Sequence, residues 1–182
     1  KIGILIATLL SAWAVAPLHA TGITNFDSIQ NWAGSGSNKA AMVIQWNDGQ
    51  NPSALAWGYR WNGSATGYDM ISSIAGTWSI LANSSGEQLS TGSGTESRLA
   101  ITIKDYGWGK AVETITFNDG SFSRTRNDWS TGYWEYFNVG GSFSTPPDGD
   151  QNTFLGTTNY PGTSTGSNWV SSWSGFDSRE LS

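Results

Sequence analysis

Between Ser53 and Trp61 the chain alternates strictly, with Leu55, Trp57, Tyr59 and Trp61 in one set of positions and Ala54, Ala56, Gly58 and Arg60 in the other. Side chains of a strand point to opposite faces in turn, so an extended segment here carries bulky rings on one side and almost no bulk on the other. A helix would scatter the same rings around its circumference. The segment therefore commits the chain to a sheet whose aromatic face must be covered.

The rest of the sequence supplies partners for that sheet. Ala40 to Trp46 is a nearly continuous apolar strand that runs into Asn47-Asp48-Gly49, a tight-turn sequence because these residues tolerate left-handed backbone. Thr77 to Ala82, Ser97 to Tyr106, Lys110 to Phe117 and Phe122 to Arg126 repeat the two-residue period, the last two joined by Asn118-Asp119-Gly120. Gly132 to Val139 closes the series, with Tyr133, Glu135, Phe137 and Val139 opposite Trp134, Tyr136 and Asn138. One helix interrupts it: Thr66 stands three residues before Asp69 as in a capping box, and Met70, Ile71, Ile74 and Ala75 recur at helical spacing before Gly76. This predicts about two turns covering a sheet end. With 23 glycines, many serines and threonines and 11 tryptophans, the pattern predicts an all-β fold, an antiparallel β-sandwich or jelly-roll-like domain with one short helix and a long Gly/Ser/Thr-rich loop.

Four stretches follow from this reading: residues 1–20 as an export signal, 21–139 as the β-sandwich core, 140–168 as a loop or linker, and 169–182 as a Trp-containing segment that docks back through Trp169, Val170, Trp173 and Phe176. The signal rests on Lys1 ahead of the apolar run Ile2 to Ala16, then Pro17, Leu18, His19 and Ala20. That run falls short of the roughly 20 apolar residues that span a bilayer. Cleavage after Ala20 removes His19, the only histidine; cleavage after Ala16 would leave it near the new N-terminus. The start at Lys1 rather than a methionine reads as a fragment.

There is no cysteine. With the cut after Ala20, neither imidazole nor thiol remains, which excludes Ser-His-Asp and Cys-His nucleophilic catalysis and a histidine or thiolate zinc site. Loss of Lys1 leaves eight basic against fourteen acidic residues, a formal balance of −6. The basic residues are scattered, so no stripe offers the counterion release that drives nucleic-acid binding, and nucleic acid is excluded as a partner.

Three constellations could carry function. The rings of Trp57, Tyr59, Trp61, Trp134 and Tyr136 either stack against a planar or sugar ligand or fill the core of a chain poor in Leu and Ile. Each buried indole N–H needs a partner, so some aromatic surface is expected to stay exposed. Asp148, Asp150 and Asn152 alternate side-chain oxygens as at the start of a calcium loop, or form an ordinary acidic turn; Thr153 stands where that loop wants glycine and Asn159 where it wants a bidentate glutamate. Glu113 and Glu135 lie on predicted strands as the carboxylates a glycosidase would need.

The runs from Trp32 to Ala41 (Trp-Ala-Gly-Ser-Gly-Ser-Asn-Lys-Ala-Ala), Val43 to Gly49 (Val-Ile-Gln-Trp-Asn-Asp-Gly) and Leu55 to Gly63 (Leu-Ala-Trp-Gly-Tyr-Arg-Trp-Asn-Gly) resemble the opening of a family of exported bacterial surface proteins. The likeness continues at Thr66 to Met70, Trp134 to Phe137 and Ser178 to Leu181. Many such proteins carry a C-terminal exosortase (PEP-CTERM) sorting tail, an acidic Gly and Trp segment followed by Pro-Glu-Pro, an apolar span and a basic end; these 182 residues hold no such tail. The resemblance implies a cell-surface setting, with membrane attachment only through that tail, and brings no catalytic residue. The leading expectation is thus a secreted or cell-surface, non-enzymatic protein of display, adhesion or envelope and matrix architecture, with an extracellular glycan, matrix or cell-surface component as partner. The second is a small-ligand module for carbohydrate or, less so, a planar cofactor such as a corrinoid, and the third a glycoside hydrolase.

Overall fold

A computed structural model describes residue 26, residues 29–46, residue 50, residues 54–127 and the strand segments 134–138, 152–156, 170–171 and 180–181. The export segment, Asn47-Asp48-Gly49, Asp148 and Asp150 lie outside the described residues.

The described residues are mostly β, in two facing mixed sheets with a single short helix among them, consistent with the sandwich-like domain expected. The first sheet takes β1 (Trp32–Gly34), β2 (Asn38–Gln45), β3 (Ala54–Trp61), β10 (Trp134–Asn138), β11 (Asn152–Gly156) and β12 (Val170–Ser171), in the spatial order β1-β3-β2-β11-β10-β12. The second takes β5 (Ala75–Ala82), β6 (Gln88–Gly92), β7 (Glu96–Asp105), β8 (Lys110–Asn118) and β9 (Ser123–Asn127), in the order β6-β5-β7-β8-β9. A two-stranded ribbon pairs β4 (Ala65–Thr66) with β13 (Glu180–Leu181).

Large side chains from the two sheets close one core. Met42, Ile44, Leu55, Trp57 and Tyr59 of β2 and β3 share a cluster with Leu99, Ile101, Ile103, Ile115 and Phe117 of β7 and β8. The Trp57 and Phe117 rings meet across the sheets, centroids 6.0 Å apart. The small face of β3 is buried as well: Ala56 is 1% exposed, and at Gly58 a Cβ would overlap the Trp32 indole, which is itself capped by the Arg60 guanidinium 4.4 Å from its ring. Glycine stands at that register because a ring lies directly on the backbone.

The helix α1 (Gly67–Ile74) follows from its cap. Thr66 Oγ1 accepts the Asp69 N–H at 3.2 Å and Asp69 Oδ2 accepts the Thr66 N–H at 2.7 Å, which satisfies two end donors reciprocally. Met70, Ile71 and Ile74 enter the core, and Ala75 starts β5 with no linker. Thr66→Ala should cost about 1 kcal/mol, seen as a fall in Tm of roughly 2–4 °C; an unchanged Tm would show that the packed face of the helix holds without its cap.

The sheets are mixed rather than wholly antiparallel: β1 with β3, β5 with β7 and β10 with β11 run parallel, and the first two share one cause. β5 pairs with β7 in parallel, and β1 with β3, because each time the chain crosses the end of a strand instead of turning back in a hairpin. After β6 the chain passes the start of β5, where the Gly94 N–H donates to Ala75 O at 2.7 Å and a Cβ on Gly94 would overlap the Ser73 carbonyl. After β1 it passes the end of β3, where Gly36 sits at φ 147° and its Cβ would overlap the Trp61 carbonyl. Residues with side chains could not approach these carbonyls so closely.

The 140–168 stretch, expected as loop, includes a strand. β11 lies between β2 and β10, antiparallel to the first through Phe154 opposite Ile44 and parallel to the second through Phe154 opposite Tyr136. Phe154 and Leu155 are strand residues with a ladder on both sides.

Candidate functional site

The sequence offers Trp57, Tyr59 and Trp61 as a stacking platform, and the structure corrects this for all three. They are 1%, 7% and 5% exposed, so their faces are covered by protein and form no open platform. Tyr59 and Trp61 stack on each other at 5.4 Å and 11°, and the Trp61 indole N–H donates to Gly63 O at 3.1 Å. These rings fill the core because the second sheet lies over the face that carries them. Trp134 and Tyr136 lie on β10 at registers opposite Asn152 and Phe154.

Trp57 does more than pack. Its indole N–H donates across the sandwich to Glu96 Oε2 at 3.0 Å, at the start of β7. The same carboxylate receives Arg98 in a fork: Nη2 on Oε2 at 2.6 Å and Nε on Oε1 at 2.7 Å, while the Arg98 backbone N–H reaches Oε1 at 3.2 Å. Four donors on two oxygens fill the acceptor capacity of a carboxylate. Burial pushes the Glu96 carboxyl up, but the bonds from the Arg98 side chain, the Trp57 indole and the Arg98 backbone outweigh it and hold it below the ordinary carboxylate value. Glu96 is thus ionised and fully occupied at neutral pH, the opposite of what a glycosidase acid requires.

A pocket of about 260 Å³ opens beside this cluster, with Asn31, Trp32, Trp57, Thr95 and Glu96 among its walls. The Asn31 side-chain Nδ2 is buried without a hydrogen-bond partner. The volume lies below the roughly 300–1,000 Å³ of pockets for drug-sized ligands, and a corrinoid exceeds it.

The two carboxylates proposed from sequence lie on strands of different sheets. Glu113 is the additional residue of a β-bulge where β8 faces Thr102 and Ile103, and its Oε1 accepts the Lys104 Nζ at 2.8 Å. Glu135 lies on β10 at the register of Thr153. At the calcium motif, β11 begins at Asn152 and runs extended through Thr153, where a calcium loop makes its sharp turn. Among the described residues no three His, Cys, Asp or Glu side chains converge on a metal position.

Among the described residues, the exposed aromatic surface expected from the tryptophan count lies at a position sequence reasoning passed over. Trp108 is 80% exposed at the tip of the β7–β8 hairpin, between Gly107 and Gly109. The loop is tied down: Asp105 Oδ1 accepts the Gly107 N–H at 2.8 Å, the Tyr106 N–H donates to Gly109 O at 3.0 Å, and Lys110 Nζ lies 3.4 Å from Asp105 Oδ2. The bond from the Gly107 backbone is the first cause holding the Asp105 carboxyl below its ordinary value. Gly107 at φ 83° supplies the left-handed step that the turn needs. The Tyr106 ring braces the indole from 5.5 Å at a 32° tilt. A flanking Gly-Trp-Gly that breaks the alternation between two strands was the available signal. An exposed indole on a hydrogen-bonded turn has the chemistry of a contact group: a large amphipathic surface with little left to order on binding.

Comparison with protein-family models, with curated proteins and with solved structures finds no match to this chain.

Proposed function

We propose that this chain is an exported, non-enzymatic domain of the bacterial cell surface that acts in adhesion or display and meets its partner through the Tyr106–Trp108 tip. The observation that carries this reading is Trp108, 80% exposed on a hairpin whose base is closed by Asp105 and Lys110. An indole left 80% in water contributes little burial energy to the fold, and a polar residue would serve the turn while keeping the surface less adhesive. The Lys1 to Ala20 segment supports export, and the acidic balance supports a solvated surface domain that avoids polyanions. Glu96 and Glu113, each bound to a cation on its own sheet, support a structural rather than catalytic use of the core acids.

Purified chain added to bacterial cell envelopes should be retained, and Trp108→Ala should reduce retention while leaving unfolding stability within about 0.5 kcal/mol of the parent, as for an exposed residue. Equal retention of both proteins would remove the tip from the reading. Protease treatment of intact cells expressing the chain should degrade it; full protection would remove surface display.

A further inference from the structure

We infer that the Tyr106–Trp108 tip is a carbohydrate-binding site that takes the apolar face of a pyranose within an extracellular polysaccharide; this rests on the adhesion reading and names its ligand. At 80% exposure the Trp108 indole is covered by Tyr106 over a small part of its surface only, so a ring face stays open. A pyranose presents a face of C–H groups that matches a flat indole, ringed by hydroxyls that both donate and accept. The rim of the tip answers those hydroxyls. Asp105 has more acceptor sites than the Gly107 N–H and Lys110 take up, and the Tyr106 hydroxyl both donates and accepts. Aromatic face and polar rim are fixed by the same turn, so little conformational freedom is lost when a sugar docks.

Other occupants fit less well. A protein partner needs about 1,000 Å² of complementary surface, and the tip is a four-residue loop with two rings. A bilayer interface also accepts tryptophan, but the tip carries a carboxylate and the chain a formal charge of −5, which anionic lipid repels.

The test uses the full chain, Trp108→Ala and Trp108→Phe in depletion assays on cellulose, chitin and peptidoglycan, with a glycan array and phosphatidylcholine vesicles alongside. The parent should be held by at least one polysaccharide and released by its soluble oligosaccharide. Trp108→Ala should lose about thirtyfold or more in affinity, as for a truncated aromatic anchor, with circular dichroism and Tm unchanged, while Trp108→Phe keeps part of the binding. A parent that binds no glycan, that binds vesicles in preference, or that binds sugars as well without the indole overturns the assignment. If envelopes hold the parent through Trp108 and no glycan competes, the carbohydrate assignment falls and adhesion stands. If envelope binding ignores Trp108, both fall.

Discussion

Trp57→Ala should destabilise the domain by about 3–5 kcal/mol, the range for deleting a fully buried large ring. The indole is 1% exposed, packs on Phe117 from the opposite sheet and gives its N–H to Glu96. Its removal opens a cavity at the centre of the sandwich and leaves a buried carboxylate with one donor fewer, so both penalties add. Urea unfolding followed by circular dichroism measures the effect as a lower midpoint at constant slope. Trp57→Phe separates the two parts: it keeps much of the ring volume and loses only the hydrogen bond, so it should cost roughly 1–2 kcal/mol. A loss below about 1 kcal/mol for the alanine variant would mean that the sheets do not depend on this contact.

Glu96→Ala should cost about 2–3 kcal/mol, because charge-assisted bonds at a part-buried site are lost together with a buried acceptor. Arg98 keeps a side chain 23% exposed with its partner gone, and the Trp57 N–H is left without an acceptor. A double replacement, Glu96→Leu with Arg98→Leu, should recover much of the loss, since no charge then remains to be desolvated. If the double variant is as unstable as the single, the cost lies in strand packing and not in the orphaned cation.

The same carboxylate sets a pH dependence. The Glu96 carboxyl titrates lower when folded than when unfolded, so its contribution is complete above the unfolded value near 4.5 and is lost as pH falls through the folded value. Asp105 and Asp119 are also held low, first by the Gly107 and Phe122 backbone N–H groups respectively, and titrate in the same direction. Glu96→Gln should flatten the fall of the urea midpoint below pH 4.5 without abolishing it. An identical slope in parent and variant would show that the exposed aspartates account for the acid sensitivity.

Much of the fold was legible because its signals are local. Trp57, Tyr59 and Trp61 report a strand by alternation alone, and Thr66 with Asp69 reports a helix start by a reciprocal cap. Asn118-Asp119-Gly120 reports its own turn: Asp119 Oδ1 accepts the Ser121 and Phe122 N–H groups at 2.8 and 3.0 Å, and Gly120 takes φ 87°. What escaped depends on distant neighbours. β6 (Gln-Leu-Ser-Thr-Gly) is exposed along nearly its whole length and has no buried face to leave a pattern. β11 holds two apolar residues and gains its strand from ladders with β2 and β10. Whether an aromatic face is core or platform depends on what lies over it, which alternation does not encode. Hence the three central rings were open to either use, while Trp108, marked only by its glycine neighbours, went unremarked.

The place of β11 has a consequence for how the molecule is born. β2 forms its ladder with β3 at once, yet its other edge, from Met42 to Gln45, waits for Thr153 to Gly156, about a hundred residues later. Until that piece is in place, an apolar row with unsatisfied amides stands ready to capture any extended neighbour, including another unfolded copy. Non-local closure of this kind is slow, because loop entropy is lost before contacts reward it. A chain arrested before residue 152 would therefore be a precursor to aggregates, and holdase chaperones that shield the Met42 to Gln45 edge should raise the yield of folded protein.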